Sequence, residues 1–301
     1  MGRLVVIQGA TAAGKSAVAV SLATHYSCPV VSCDSRQFYR EMTIGTAVPS
    51  VDEQQAVAHY FIQDRSINEP LTAGAYEIEA LALLDKLFAH HSTVILVGGS
   101  GLYADALVYG LDPLPTSEVI RAELNSIYER QGLAPLVEAL RMADPVHYSL
   151  VDRQNPLRVI RALEVCRASG MPYSNLRTAR HATRPFEVVR LAIDMPRQEL
   201  YNRINGRVDQ MIEQGLEDEV RSLIPYRDLS PLRTVGYSEF FDYFDGKISH
   251  DTAIDKIKQN TRNYAKRQLT WLRREGDLRY FAPHAVDEII AWMSSINYGN
   301  I

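Results

Sequence analysis

Cysteine is scarce in this sequence of 301 residues. Its three cysteines, Cys28, Cys33 and Cys166, are odd in number and form no C-x-x-C motif. Neither a disulfide framework nor a zinc site is therefore indicated. Long apolar runs are also missing, because no segment approaches the roughly 20 apolar residues that a membrane-spanning helix needs. The N-terminus turns polar and glycine-rich too soon for a signal peptide, so we expect a cytoplasmic enzyme that makes no membrane contact.

A large excess of charge of one sign is the third missing feature, since the formal net charge is −4. With 46% hydrophobic and 23% charged residues, the composition excludes a disordered or fibrous chain. The charges are nevertheless segregated, because residues 153–190 and 256–279 each carry eight Lys or Arg against two acidic residues. These basic segments could bind the phosphates of a nucleic acid, or they could be solvated helix faces. Charge alone leaves both interpretations open.

Short apolar runs alternate with helical patterns in the first part of the chain. Residues 4–7, 29–33 and 93–97 have the length and composition of buried parallel strands. Residues 15–24 and 75–89 between them are predicted helices. The second helix has an apolar stripe formed by Ile78, Leu81, Leu84 and Phe88. This order predicts an α/β fold with a parallel sheet, in which ligands bind at the carboxyl ends of the strands.

A phosphate-binding motif follows the first predicted strand. Residues 9–16, GATAAGKS, match the pattern G-x-x-x-x-G-K-S/T in the required position between a strand and a helix. The glycines let backbone N–H groups wrap an anion at the positive end of the helix dipole. Lys15 would reach the terminal phosphate, and the Ser16 hydroxyl would bind Mg²⁺. The loop predicts a diphosphate or triphosphate ligand, held by Gly9, Ala10, Thr11, Ala12, Ala13, Gly14, Lys15 and Ser16.

Asp34 lies at the tip of the second predicted strand. Because the carboxyl ends of parallel strands share one edge of a sheet, we expect its carboxylate beside the phosphate-binding loop. There it could bind Mg²⁺, hold a water molecule or accept a proton from a substrate. A structural role as the N-cap of a following helix is the alternative.

The middle of the chain has a different character from both ends. Residues 112–186 are mostly helical in pattern and rich in arginine, and prolines mark both limits. We predict a catalytic core with the phosphate-binding loop, made of residues 1–111 and 187–301, and an inserted mainly helical subdomain at 112–186. A long final helix is predicted from about 251 to 274, with Trp271 in the core.

Eight motifs occur in a fixed order over nearly the whole chain. They are GATAAGKS (9–16), DSRQFY (34–39), IGTAVP (44–49), GGSGLY (98–103), NPLRVIRALEV (155–165), RINGRVDQMIEQGLEDEV (203–220), LRTVGY (232–237) and TRNYAKRQLTWLRR (261–274). Together they closely resemble the bacterial tRNA dimethylallyltransferases, also called tRNA isopentenyltransferases. A single phosphate-binding loop would be weak evidence, whereas eight collinear motifs are highly specific.

The resemblance implies that the loop binds dimethylallyl diphosphate and that Mg²⁺ is the cofactor. The five-carbon group would go to the exocyclic amine of the adenosine 3′ to the anticodon in tRNA. Asp34 matches the family's general base, Arg207 matches an arginine that helps to hold the diphosphate, and Ser100 stands where the family usually has Thr. The family tends to act as a monomer, and we expect the same here.

The same resemblance implies a set of positions that contact tRNA. They are Asp34, Ser35, Arg36, Gln37, Ser100, Arg121, Leu157, Arg158, Val159, Ile160, Arg161 and Arg233. From the residues alone, the arginines at 158 and 161 could equally flank a packed helix. Ala10 departs from the family, which more often has Pro at this position, but the change removes no donor aimed at phosphate.

Three other functions remain open on the sequence. A small-molecule kinase could use the same loop with ATP, and the arginine-rich insert could cover a triphosphate. The second alternative is a prenyltransferase that acts on free adenine nucleotides, since such enzymes have a similar loop. The two basic segments argue against so small an acceptor. The third alternative is a non-catalytic RNA-binding module whose loop holds a regulatory nucleotide. The presence of Asp34 beside an intact loop argues against this alternative.

Overall fold

A parallel sheet is the central feature of the fold. The computed structural model describes residues 1–178, 182–273 and 278–296. Its strands are β1 (Gly2–Gly9), β2 (Val30–Ser32), β3 (His59–Tyr60), β4 (Thr93–Val97), β5 (Phe186–Ile193) and β6 (Arg279–Phe281). They form one six-stranded sheet in the order β3-β2-β4-β1-β5-β6, and each strand pairs in parallel with its neighbours. The predicted α/β fold is confirmed.

Helices connect the strands and form most of the remaining chain. They are α1 (Lys15–Tyr26), α2 (Val51–Ala56), α3 (Ala73–Phe88), α4 (Gly101–Tyr109), α5 (Glu118–Gln131), α6 (Ala134–Ala143), α7 (Pro145–Leu150), α8 (Pro156–Ser169), α9 (Tyr173–Leu176), α10 (Arg197–Glu213), α11 (Leu216–Ser222), α12 (Ser238–Phe244), α13 (His250–Leu272) and α14 (Val286–Ser295). Short 3₁₀ turns occupy Ile224–Tyr226 and Ser230–Leu232. Within the described ranges, none of these helices combines the length and apolar character needed to cross a bilayer.

The register of the sheet brings three chain segments to one edge. In β1, residues 4–7 are fully buried, as expected for a central strand covered on both faces. Ile7 pairs with Val97 of β4, and Ser32 of β2 also pairs with Val97. The segments that follow β1, β2 and β4 therefore emerge side by side, and each begins with one of the predicted site motifs.

The chain divides into two compact units. One contains residues 1–108 and 183–301, and the other contains residues 109–182; the limits inferred from sequence were 111/112 and 186/187. The first unit has the sheet at its centre, with helices packed on it. The second has its own apolar core, which includes Leu124, Leu136, Leu140, Val159 and Leu163.

The apolar stripe predicted for α3 is correct at Leu84, which is 1% exposed, but not at Ile78. Ile78 is 72% exposed, whereas Tyr76 is fully buried. The Tyr76 hydroxyl donates a hydrogen bond of 2.9 Å to the backbone oxygen of Ser32, and its ring stacks on Phe38 at 5.5 Å. Apolar residues occur on more than one side of this helix, so their spacing does not determine which side faces the sheet. Strands β3 and β6 were not predicted, because two or three residues carry too little periodicity.

Candidate active site

The phosphate-binding loop joins β1 to α1, and its backbone shape depends on glycine. A Cβ atom on Gly9 would lie 2.6 Å from the backbone oxygen of Ile193, closer than a side chain allows. Gly14 has a φ of 92° immediately before α1 begins, a region that residues with a side chain rarely adopt. Ala12 also has a positive φ, of 62°. The loop thus curls at the N-terminus of α1, the arrangement that binds anionic oxygens.

Two cations flank the loop in a desolvated environment. Loss of hydration lowers the pKa of Lys15 to about 8, although the nearby Asp34 charge acts in the opposite direction. Burial likewise lowers the pKa of Arg207, and Asp34 again opposes the shift. The Lys15 ammonium donates to the backbone oxygen of Ala10 at 2.7 Å, and Arg207 Nη1 lies 3.5 Å from Thr11 Oγ1. An anion bound here would relieve the cost of keeping both groups charged.

Asp34 follows β2 and faces the same space. It does not cap a helix: its Oδ1 accepts the Arg36 N–H at 3.1 Å within a turn. Its own N–H donates to Ser32 Oγ at 3.1 Å. Asp34, Lys15, Ser16 and Arg207 line one small cavity of about 60 Å³. The structure therefore brings the predicted base and the predicted phosphate-binding groups together.

Ser100, at the start of α4, is held next to Asp34. Its Oγ accepts the Ser35 N–H at 3.1 Å and lies 3.1 Å from Ser35 Oγ. Tyr264 of α13 also lies here: burial and the charge of Asp34 raise its pKa to about 12, while a hydrogen bond with Ser100 opposes the shift. Tyr264 lines the small cavity and two larger ones of about 190 and 280 Å³ that adjoin it. The sequence pattern indicated no role for Tyr264 at the site.

Gln268 is a second site residue that the sequence pattern did not indicate. It is 8% exposed and lies one turn beyond Tyr264 on the same face of α13. Its Oε1 accepts the Thr11 N–H at 2.8 Å, and its Nε2 donates to the Gly99 carbonyl at 2.8 Å. The spacing of Tyr264, Gln268 and Leu272 at four-residue intervals was the available signal, but a stripe with a polar member resembles an ordinary packed helix.

The segment 43–49 borders the loop on its other side and is held by Glu219 of α11. The Glu219 carboxylate accepts three consecutive backbone N–H groups, from Thr43, Ile44 and Gly45, at 2.7–3.1 Å. It also accepts the Tyr237 hydroxyl at 2.6 Å. This segment, Lys15 and Ser16 line a cavity of about 510 Å³, together with Arg203 and Arg207. Glu219 thereby shapes the space outside the loop.

The residues expected to contact tRNA in the first unit have different environments. Arg233 is exposed, and Arg36 donates from Nη1 to the backbone oxygen of Ser230 at 3.3 Å. Gln37 is engaged within the protein, because its Nε2 donates to the Ala47 carbonyl at 2.9 Å and its Oε1 accepts the Ser32 hydroxyl at 3.2 Å. Gln37 thus joins β2 to the segment 43–49.

The corresponding residues of the second unit are divided between surface and core. Leu157 and Arg158 are exposed, whereas Val159 and Ile160 are 0% and 5% exposed in the core of this unit. The inward face of α8 thus buries the side chains of Val159 and Ile160, and tRNA contact at these two positions stays a prediction. Arg121 and Arg161 bind the buried Glu164 carboxylate, at 2.7 and 3.0 Å.

The exposure of Trp271, near the basic end of α13, differs from the prediction. Trp271 is 38% exposed instead of lying in the core. Its indole packs over Gly101, where a Cβ would lie 2.6 Å from Trp271 Nε1. With Leu102 and Arg267 it borders the cavity of about 280 Å³. Arg180 and Arg274, which belong to the two basic segments, lie outside the described residues.

The donor set of the small cavity suits a hard cation. The Ser16 hydroxyl lines this cavity, and Mg²⁺ takes few protein ligands, its shell being completed by water and substrate phosphates. Among the residues that the structure describes, no three His, Cys, Asp or Glu side chains form a metal-binding group. The adjacent Cys33 is a poor nucleophile, because burial raises the pKa of its thiol.

Comparison with known proteins identifies the family. A sequence model described as IPP transferase matches residues 37–275. The tRNA dimethylallyltransferase of Cytophaga hutchinsonii is 45% identical over 293 residues, covering 97% of this chain and 96% of that protein. The tRNA dimethylallyltransferase of Flavobacterium johnsoniae is 46% identical over 288 residues, covering 93% of each.

Solved structures agree with these matches. The full-length tRNA isopentenylpyrophosphate transferase from Bacillus halodurans has a TM-score of 0.72 and 34% identity, covering 98% of this chain and 96% of that chain. A eukaryotic dimethylallyltransferase acting on tRNA has a TM-score of 0.81 over 100% of this chain and 81% of that chain; at 22% identity this likeness concerns the fold alone. The family model spans most of the sequence and the bacterial relatives cover nearly all of it, so this chain belongs to the IPP transferase family, as its resemblance to the tRNA dimethylallyltransferases indicated.

Proposed function

We propose that this protein transfers a dimethylallyl group from dimethylallyl diphosphate to the exocyclic amine of the adenosine 3′ to the anticodon in tRNA. The C–O bond to the diphosphate breaks, the C–N bond to adenine forms, and the amine proton passes to the Asp34 carboxylate. The observation that carries this proposal is that Asp34 lines the same small cavity as Lys15, Ser16 and Arg207. A proton acceptor and the groups that stabilise an anionic leaving group thus face one reaction space.

The loop binds and stabilises the diphosphate leaving group. An allylic diphosphate ionises readily once its departing negative charge is neutralised, and preorganised donors do this most effectively where water is excluded. Lys15 and Arg207 supply two partly desolvated positive charges, and the N-terminus of α1 supplies backbone N–H groups. These groups would bind the diphosphate and carry much of the catalytic effect.

The acceptor side is formed by Asp34, Ser35 and Ser100. Adenine's amine is a poor nucleophile, so a positioned carboxylate that accepts its proton contributes about 10²–10⁴-fold. The target base must leave its stack to reach Asp34, and anticodon loops permit this because their bases are single-stranded. The adjoining cavities of about 190 and 280 Å³ both reach Ser35 beside Asp34, which gives a base a route to the carboxylate.

Mg²⁺ dependence is part of the same proposal. The Ser16 hydroxyl is the side-chain group that would hold the ion. When bound, Mg²⁺ supplies positive charge to the diphosphate. We further propose that the protein acts as a monomer, since Asp34, Ser100, Arg207 and the loop form the site within a single chain. Because the proposed substrate is tRNA, we also propose that it acts in the cytoplasm.

A single assay tests the proposed function. The protein is incubated with Mg²⁺, dimethylallyl diphosphate and tRNA that lacks the modification, and the digested nucleosides are analysed by mass spectrometry. We expect an adenosine heavier by one dimethylallyl group, only when all components are present. Parallel reactions replace the prenyl donor with ATP or add AMP as a competing acceptor. Phosphorylated product, or prenylated AMP in preference to tRNA, would overturn the proposal.

A further inference from the structure

Gln268 connects the two sides of the reaction space through one side chain. Its amide oxygen accepts the Thr11 N–H of the phosphate-binding loop at 2.8 Å. Its amide nitrogen donates at 2.8 Å to the carbonyl of Gly99, the residue before Ser100. The bridged residues lie 257 and 169 positions from Gln268 in the chain. Both hydrogen bonds are made by a side chain that is 8% exposed, so water does not readily replace them.

Gly99 makes this bridge possible. A Cβ atom at position 99 would lie 2.3 Å from Gln268 Nε2 and 3.8 Å from Asp34 Oδ2. The Gln268 amide and the Asp34 carboxylate thus both lie near the position that a side chain at residue 99 would occupy. Only glycine leaves room for the amide to reach the backbone of the turn that presents Ser100.

Helix α13 holds Gln268 in place. Ala265 and Leu272, one turn to either side of it, are 0% and 4% exposed, and Ala265 belongs to the apolar core beneath the loop. A side chain between two buried anchors of a long helix has few alternative rotamers. The bridge is therefore a rigid spacer.

We propose that Gln268 is a positioning residue that sets the distance between the leaving group, held by the loop, and the acceptor side, formed by Asp34 and Ser100. This inference rests on the proposed function. Because the Thr11 N–H is bonded to Gln268, the diphosphate is bound by the remaining loop N–H groups, Lys15 and Arg207. Gln268 thus determines where the allylic carbon lies relative to the incoming nitrogen, without touching either.

The test compares Gln268→Met, which has nearly the same volume and no hydrogen bonds, with wild type. Gln259→Met, at an exposed position of the same helix, is the matched control. We expect Gln268→Met to bind inorganic diphosphate within about threefold of wild type, because the charged groups remain. Its single-turnover transfer rate with both substrates saturating should fall on the order of 10²-fold, the effect of a misplacement of about 1 Å. Gln259→Met should match wild type in both measurements.

A second variant separates the two bonds. Gln268→Glu keeps an acceptor for the Thr11 N–H but places a carboxylate against the Gly99 carbonyl, so we expect its rate to be as low as that of Gln268→Met or lower. Wild-type rates in Gln268→Glu would overturn the bridging role, and so would a Gln268→Met rate close to wild type. A parallel loss of diphosphate affinity and rate would also overturn it, since Gln268 would then support only the loop. Absence of transfer by the wild-type protein would instead refute the proposed function.

Discussion

The Ser100 hydroxyl accepts a hydrogen bond from the Ser35 N–H at 3.1 Å, and the two hydroxyl oxygens also lie 3.1 Å apart. These residues are 65 positions apart in the sequence and follow neighbouring strands of the sheet. Ser35 is next to Asp34, so the contact ties the backbone that carries the predicted base to the start of α4. The position of Asp34 thus depends on the adjacent strand as well as on its own.

Replacing Ser100 tests this dependence. Ser100→Ala leaves the Ser35 N–H without its acceptor, a loss of about 1 kcal/mol for one hydrogen bond. We expect turnover to fall about 5- to 10-fold with little change in the KM for dimethylallyl diphosphate. Ser100→Thr keeps the hydroxyl and should stay within about twofold of wild type. Equal activity of the Ala and Thr variants would show that the hydroxyl does not matter.

Replacing Asp34 should separate chemistry from diphosphate binding. Asp34→Asn keeps an oxygen to accept the Arg36 N–H but cannot take up the amine proton. We expect turnover to fall about 10²–10⁴-fold. Inorganic diphosphate should bind at least as tightly as in wild type, because a negative charge near Lys15 and Arg207 is removed. Isothermal titration and single-turnover assays measure the two quantities, and full turnover by Asp34→Asn would contradict the assignment of Asp34 as the base.

Arg207 and Arg203 provide a matched pair for the diphosphate site. Arg207→Met should weaken inorganic diphosphate binding about 10- to 100-fold, since it removes charge-assisted hydrogen bonds in a desolvated place. Arg203 is half exposed and pairs with Glu199 at 3.2 Å, so Arg203→Met should change the affinity by less than about threefold. Equal losses in both variants would mean that the diphosphate lies outside the loop, between the two arginines.

The buried Glu164 carboxyl should make the stability of the helical unit of residues 109–182 depend on pH. Burial raises the pKa of Glu164, but hydrogen bonds from the Ser117 N–H, Arg121 and Arg161 outweigh it, so the net pKa lies below the ordinary 4.5. A carboxyl whose pKa is lowered by folding stabilises the protein above its unfolded-state pKa, and this stabilisation is lost as the pH falls through its folded-state pKa. We therefore expect the melting temperature of wild type to fall as the pH drops below about 4.5.

Glu164→Gln isolates that contribution. Its free energy of unfolding at pH 7 should be lower by about 2 kcal/mol, because two arginines lose their shared counter-charge. The decrease in its melting temperature between pH 6 and pH 3.5 should be shallower than in wild type. Melting curves of the full chain, recorded by circular dichroism across this range, test the difference. Identical slopes for the two proteins would show that Glu164 does not titrate during acid unfolding.

Local patterns were sufficient for part of the site. The loop at 9–16 has its glycines, Lys15 and strand–helix context within a few residues. The end of β2 can be predicted from the short apolar run that precedes Asp34. Parallel pairing then dictates that both lie at one edge. These features need only short-range information and one rule of topology.

Burial and long-range contacts could not be read in the same way. Val159 and Ile160 lie within an arginine-rich motif that resembles an RNA-binding segment, yet they face a core. Trp271 has the residue type of a core position, yet it is half exposed over Gly101. Glu219 looks like one acid among several in α11, and only the folded chain shows it accepting three N–H groups of the segment 43–45.

By itself, the sequence determined the α/β class, the family, the phosphate-binding loop and the candidate base. Each of these can be recognised from short runs of neighbouring residues, because hydrogen-bond geometry and apolar spacing act over a few positions. Only the tertiary structure decided that Gln268 bridges Thr11 and Gly99, that Tyr264 lines the space beside Asp34, and which arginines are held by Glu164. Such contacts join residues far apart in the chain, and their partners are set by how helices pack on the sheet, which no local pattern encodes.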